Sequence, residues 1–154
     1  GKELSDIVNK IKFRKKGTNP ATKSFQAIRM IVNQELSEIY NSLKYIIENC
    51  KEGAFIIIVS FHSLEDTLVK KIFNFYGKTK TLSRYIPKKN NCENISIEFI
   101  TNKVQKPSNI EIKKNPNSRS AKLRVIKKTK NPTINLNRQD LNMEKYFLLE
   151  ELYV

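Results

Sequence analysis

The only histidine of the chain, His62, stands where an apolar run gives way to a charged segment. The run from Phe55 to Phe61 is almost entirely apolar or β-branched, which predicts a strand covered on both faces. In an α/β sheet, ligands bind at the carboxyl ends of such strands. His62 could therefore contact a nucleotide or a substrate base, or it could be a turn histidine that ties two loops together.

Ser60 and Ser63 flank this histidine, but one histidine and two serines do not make a Ser–His–acid triad. Ser63 to Asp66 matches a capping box, with Ser63 as the N-cap and Asp66 three residues later. Glu65 and Asp66 fall in the first turn of the helix that follows, where the macrodipole favours negative charge. A structural role therefore accounts for these side chains, and no catalytic residue is assigned.

A second constellation lies on a predicted turn that leads into a strand from Ala121 to Lys128. It offers hydroxyls and cations within a few residues: Ser118, Arg119, Ser120, Lys122 and Arg124. Such groups bind phosphates well. The alternative is a basic turn that is merely solvated.

The charge of the chain also indicates a polyanionic partner. The formal net charge is +14, from 29 Lys and Arg against 15 Asp and Glu. Between Lys78 and Lys130 there are fifteen basic residues against three acids. Nucleic acid is the simplest partner for such an excess, although a drift of codon usage toward A and T would raise the lysine content as well.

Several classes of protein do not fit the composition. Four glycines, all far apart, cannot build a phosphate-cradling loop. No apolar run reaches the roughly 20 residues of a membrane span, and we expect no secretory signal. Cys50 and Cys92 lie far apart without a nearby histidine, which predicts reduced thiols and no metal site. The cytoplasm, or alternatively an organelle matrix, is the expected compartment.

The secondary structure that would position these residues is α/β. Apolar periodicity predicts a helix from Glu3 to Lys12 and one long amphipathic helix from Thr22 that ends near Gly53. Arg29 and Asn33, spaced i and i+4, share one edge of this long helix and could reach into a cleft or be solvated.

The second half of the chain alternates strands and polar segments. A helix that ends at Gly77 is followed by an exposed loop, 78–94. Alternation predicts a strand over 95–99 that pairs antiparallel with the strand over 121–128. After Asn131, a terminal helix is predicted from Leu141, Phe147, Leu148, Leu149 and Leu152.

Three ordered segments resemble the carboxyl-terminal half of the RsmH/MraW methyltransferases. They are TNPATKSFQAIRMIVNQELSEI, GAFIIIVSFHSLEDTLVKKIF and KPSNIEIKKNPNSRSAKLRVIKK, and together they cover roughly residues 2 to 130. The resemblance implies the last part of a Rossmann-like class I methyltransferase sheet. Residues 1–19 would end a helical RNA-binding insertion, 20–130 would be the carboxyl-terminal half of the methyltransferase domain, and 131–154 would be a tail.

The resemblance also implies an activity, in which a methyl group passes from S-adenosylmethionine to N4 of a cytidine in small-subunit ribosomal RNA. The substrate-side pocket would be formed by Phe25, Gln26, Arg29, Asn33, Ser60, His62 and Ser63. Arg119, Lys122 and Arg124 would meet the RNA. The family's glycine-rich cofactor loop has no counterpart in this sequence, so the chain alone is expected neither to bind the cofactor nor to transfer methyl groups.

A non-catalytic RNA-binding remnant or ribosome-assembly factor is the alternative function. Because half of a sheet leaves one edge unpaired, the isolated chain is also expected to dimerise through that edge or to exchange elements with a neighbour.

Overall fold

A computed structural model describes residues 1–11, 21–77, 95–101 and 103–152. The predicted loop over 78–94 lies outside these ranges. The chain forms two compact units, Gly1–Ser37 with Lys145–Val154, and Glu38–Glu144. The helices are α1 (Lys2–Ile11), α2 (Thr22–Val32), α3 (Glu35–Asn49), α4 (Ser63–Gly77), α5 (Asn109–Lys114) and α6 (Glu144–Glu151), with 3₁₀ turns at Pro116–Ser120 and Arg138–Leu141; the strands are β1 (Phe55–Ser60), β2 (Ile97–Phe99) and β3 (Lys122–Lys128).

The sheet has the order β1–β3–β2, and both pairings are antiparallel. Ile58 lies opposite Arg124, and Phe99 lies opposite Ile126. The predicted antiparallel pair of late strands is therefore confirmed. Within the described residues β1 pairs only with β3, so its other edge can accept a further strand.

The two faces of this sheet differ sharply. On one face Ile56, Ile97 and Ile126 are buried, and α4 contacts both β1 and β2. On the other face Phe55, Ile57 and Val59 are 60%, 61% and 49% exposed. The prediction that this strand is covered on both faces is wrong for the described part of the chain, because only α4's side of β1 is packed. We call the second face the open sheet face.

Helix α4 buries one apolar stripe, since Leu68, Val69, Ile72 and Phe73 are at most 1% exposed. The helix ends at Gly77, where a Cβ atom would lie 2.5 Å from a ring carbon of Phe99. Only glycine lets the end of α4 approach β2 this closely.

The long helix predicted from Thr22 is wrong, because the chain breaks into α2 and α3 at Asn33 and Gln34. Gln34 adopts a left-handed backbone conformation, with φ of 50°. The apolar periodicity continues across the break, and neither glycine nor proline marks it, so the pattern alone predicted one helix. We call this segment the α2–α3 corner.

A buried lysine closes the other end of α3. Lys128, which is 0% exposed, donates from Nζ to the carbonyl oxygens of Glu48 at 3.1 Å and Cys50 at 2.6 Å. These carbonyls belong to the last turn of the helix and its exit, where the macrodipole favours a cation. One β3 side chain thereby fixes α3 to the sheet.

The tail after Asn131 is packed in its first part. Tyr40 Oη and Lys44 Nζ donate to the carbonyl oxygen of Leu136 at 2.8 and 3.0 Å. Lys71 Nζ donates to the carbonyl oxygens of Leu141 and Asn142. The predicted terminal helix is confirmed as α6, although Leu141 belongs to the 3₁₀ turn before it.

Two further expectations concern the cysteines and the membrane. Cys50 carries a free thiol, whereas Cys92 lies outside the described residues. Within the ranges given above, no helix has the length and apolar character needed to cross a bilayer.

Candidate functional site

The turn after β1 is built by a reciprocal cap. The backbone N–H groups of Phe61 and His62 donate to Oε2 of Glu65 at 2.9 and 3.3 Å. In return, the N–H of Glu65 donates to Nδ1 of His62 at 3.3 Å. The capping box therefore uses His62 and Glu65, and the prediction that it uses Ser63 and Asp66 is wrong by one residue.

This cap also determines which nitrogen of the neutral His62 ring carries the proton. Because Nδ1 of His62 accepts a hydrogen bond, the neutral ring carries its proton on Nε2. Nε2 lies 3.1 Å from Oε1 of Glu65, and the His62 side chain is only 11% exposed. The geometry favours the turn-histidine interpretation, and contact with a base stays a prediction.

Asp66 is released from capping and instead joins α4 to β3. Its Oδ1 accepts from Arg124 Nε at 2.7 Å, and its Oδ2 accepts from Lys122 Nζ at 3.3 Å. Burial alone raises the pKa of Asp66, but the hydrogen bond and charge of Arg124, together with Lys122, hold the pKa below its ordinary value of 3.8. Both cations thus have a partly buried carboxylate partner, and their contact with RNA stays a prediction.

We expect Asp66→Asn to lower the free energy of unfolding at pH 7 by about 2 kcal/mol, because hydrogen bonds between charged groups contribute about 1.5–3 kcal/mol. The pKa of Asp66 is lower in the folded than in the unfolded chain, so its contribution is complete well above pH 3.8 and is lost as the pH falls below that value. Urea titrations across this pH range should show the two proteins converging in acid. Asp6→Asn, at an exposed position, is the control, and a difference that is constant with pH would contradict the assignment.

The basic turn is held together by its own polar groups. Ser118 is 6% exposed, and its Oγ donates to the carbonyl oxygen of Asn115 at 2.7 Å. Asn115 Oδ1 accepts from the N–H of Asn117 at 3.2 Å. The Ser118 hydroxyl therefore builds the turn, whereas Arg119 and Ser120 are exposed.

Two lysines outside the predicted site residues, Lys113 and Lys114, lie beside this turn. Lys113 and Lys114 are exposed in the last turn of α5, and α5 contacts the 3₁₀ turn that carries Arg119. The signal that could have found them is the Lys–Lys pair directly before Asn115. We call Lys113, Lys114 and Arg119 the basic surface.

The predicted substrate-side residues divide between the two units. Phe25, Gln26, Arg29 and Asn33 belong to α2 and the α2–α3 corner, in the first unit. Phe25 is 39% exposed, and Arg29 is paired with Glu35. In the second unit, Ser60 is buried in β1 and Ser63 begins α4. That all of these residues line one pocket stays a prediction.

One small cavity of about 160 Å³ lies between α4 and the β2–β3 pair, with Lys70, Phe73, Phe99 and Arg124 among its lining residues. This volume is below the roughly 300–1,000 Å³ of typical ligand pockets. Of the predicted site residues only Arg124 lines it, so the cavity does not define the site.

The fold and the basic surface define an α/β chain that presents cations to solvent from α5 and from the 3₁₀ turn before β3. The chain belongs to the MraW methylase family, whose family model matches residues 1–129. The resemblance of the sequence to this family is thereby confirmed, and the whole tail over 131–154 lies beyond the match.

Curated relatives carry the name ribosomal RNA small subunit methyltransferase H. The protein of Leptospira interrogans serovar copenhageni is 44% identical over 131 residues, which are 83% of this chain and 35% of the relative. The protein of Caldicellulosiruptor saccharolyticus is 41% identical over 82% of this chain and 42% of the relative. The Wolbachia pipientis protein is 42% identical over 82% of this chain and 39% of the relative. The chain thus spans less than half the length of these relatives.

Proposed function

We propose that this chain is the substrate-side part of a methyltransferase that transfers a methyl group from S-adenosylmethionine to N4 of a cytidine in small-subunit ribosomal RNA. The observation that carries the proposal is the family match over residues 1–129, together with the name that the relatives share. The cytoplasm or an organelle matrix, where ribosomal subunits are assembled, is the compartment that fits this substrate.

The charge distribution supports the choice of RNA. The basic surface presents Lys113, Lys114 and Arg119 to solvent, and the whole chain has a formal net charge of +14. Lys and Arg side chains supply the phosphate contacts that dominate the affinity of proteins for nucleic acids. We propose that the phosphate groups of the RNA bind to the basic surface.

The open sheet face and the unpaired edge of β1 support the proposal that another part of the methyltransferase holds the methyl donor. Phe55, Ile57 and Val59 present apolar side chains that a complete α/β domain would cover. We infer that the rest of the methyltransferase pairs with β1, completes the Rossmann-like sheet and holds the methyl donor. The isolated chain is then inactive, in agreement with its widely spaced glycines.

We assign no acid or base role in methyl transfer to the residues of this chain. When bound, S-adenosylmethionine would supply an electrophilic methyl group to the exocyclic amine, with the thioether S-adenosylhomocysteine and one proton as the other products. The protein has to orient the amine and exclude water. We assign this orientation to the residues that the resemblance to the family implies: Phe25, Gln26, Arg29, Asn33, Ser60, His62 and Ser63.

The test compares two proteins with labelled S-adenosylmethionine and small-subunit ribosomal RNA as substrates. The whole methyltransferase that contains this sequence is expected to label the RNA at N4 of a cytidine, as read by mass spectrometry of nucleosides. The 154-residue chain alone is expected to bind RNA but to transfer no label.

Different outcomes separate the alternatives. Labelling at another atom would contradict the N4 assignment. Labelling by the chain alone would contradict the proposal that another part of the methyltransferase holds the methyl donor. RNA binding without any transfer by the whole protein would favour the non-catalytic assembly factor instead.

A further inference from the structure

A carboxylate from the tail is buried at the amino-terminal end of α3. Glu150 of α6 is 3% exposed, and its two oxygens accept from the backbone N–H groups of Leu36 and Ser37, both at 2.9 Å. The Ser37 hydroxyl donates to the same carboxylate at 2.7 Å. All of these residues belong to the first unit. Three donors thus converge on one side chain 113 to 114 residues away in sequence.

A second carboxylate, that of Glu35, binds residues of α2 and of the α2–α3 corner. Glu35 accepts from Arg29 Nε at 2.7 Å and Nη2 at 3.1 Å, and Asn33 Nδ2 lies 3.4 Å from its Oε1. Between these contacts Gln34 holds its left-handed conformation, which is disfavoured for a residue with a Cβ atom. The α2–α3 corner is therefore held by Glu35 within its own segment and by Glu150 from the tail.

Asn33 of this corner and Arg29 of α2, which Glu35 binds, are among the residues assigned above to the substrate side. We propose that residues 145–152 form a strap that positions the α2–α3 corner for the RNA substrate, with Glu150 as its positioning residue. The part of the proposal that concerns RNA rests on the proposed function. The strap itself lies beyond residues 1–129, which the family model matches.

A neutral side chain in place of Glu150 would weaken the hydrogen bonding at the start of α3. Its carboxylate satisfies N–H groups that the first turn of a helix leaves unpaired, and its negative charge is favoured at that end of α3. A glutamine of the same shape offers only one acceptor oxygen and places an amide N–H group near the donors. The corner would then open more often.

The first measurement is amide hydrogen exchange at Leu36 and Ser37 in the 154-residue chain. We expect Glu150→Gln to speed exchange at both amides about tenfold or more, since a hydrogen bond to a charged group contributes about 1.5–3 kcal/mol and 1.4 kcal/mol is tenfold. Ser37→Ala removes only the hydroxyl donor and should have a smaller effect. Glu151→Gln is the matched control, because this exposed carboxylate lies in the same last turn of α6. Unchanged exchange in Glu150→Gln would overturn the strap.

The second measurement is methyl transfer by the whole protein with the same three substitutions. Loss of positioning on the substrate side should raise KM for RNA about tenfold in Glu150→Gln and leave kcat within about twofold, as expected when uniform binding is removed. Faster exchange with an unchanged KM would overturn the link between strap and substrate. An inactive wild-type protein would instead overturn the proposed function, while amide exchange would still decide whether Glu150 holds the corner.

Discussion

Methionine in place of Lys128 is expected to lower the free energy of unfolding by about 3 kcal/mol, because two hydrogen bonds from a charged donor are lost at about 1.5–3 kcal/mol each and relief of the ammonium desolvation offsets part of this. The carbonyl oxygens of Glu48 and Cys50 would stay in place without that donor. Methionine fills nearly the same volume as the lysine stem, so the loss reports the helix cap rather than a cavity.

Urea denaturation followed by circular dichroism measures this effect. Lys127→Met is the matched control, because Lys127 lies next in sequence on the other face of β3, with its ammonium 5.8 Å from the ring centre of Phe55. We expect the control to cost less than about 1 kcal/mol, as weak cation–π contacts at exposed sites do. Equal losses in the two variants would contradict a special role for Lys128.

The double substitution Ile57→Gln and Val59→Gln is expected to have opposite consequences in two contexts. In the isolated chain both side chains are about half exposed, at 61% and 49%, so stability should change by less than about 1 kcal/mol. In the whole methyltransferase the open sheet face would be covered. Burying an apolar side chain of this size contributes about 1.5–3 kcal/mol, so the pair should cost roughly 3 kcal/mol or more and reduce methyl transfer.

Thermal unfolding of both proteins, with and without the substitutions, gives the comparison. Ile110→Gln serves as control, because Ile110 is 69% exposed on α5, outside the sheet. Equal effects of the double substitution in the two contexts would contradict covering of the open sheet face. Sedimentation of the same samples tests the predicted dimerisation of the isolated chain, which stays a prediction.

The regular elements were largely predictable because their patterns are local. The apolar run from Phe55 and the alternation around Ile97 and Val125 predicted the strands, and Gly77 marked the end of α4. The break at Gln34 was not predictable, because the apolar period continues through it. The contacts that hold it come from Glu35, which is local, and from Glu150, which no local pattern connects to the corner.

The turn between β1 and α4 was predictable in position, but its hydrogen bonds were not. Two overlapping capping boxes, one residue apart, fit the turn after β1. The one that forms uses His62 and Glu65, so Asp66 can accept a hydrogen bond from Arg124. These two residues are 58 positions apart, so no spacing rule pairs them. Lys122 and Arg124, which belong to the predicted strand, pair with Asp66 inside the protein. Lys113 and Lys114 of α5 are exposed to solvent instead.

The separation of 114 positions between Leu36 and Glu150 has a consequence for biosynthesis. A ribosome adding about 5–20 residues per second needs roughly 6 to 23 s to make that stretch. Throughout that interval the Leu36 and Ser37 amides can pair only with water or with some other acceptor. Slower elongation through the later codons would prolong this exposure. The beginning of α3 therefore completes its hydrogen bonds only after Glu150 has been synthesised.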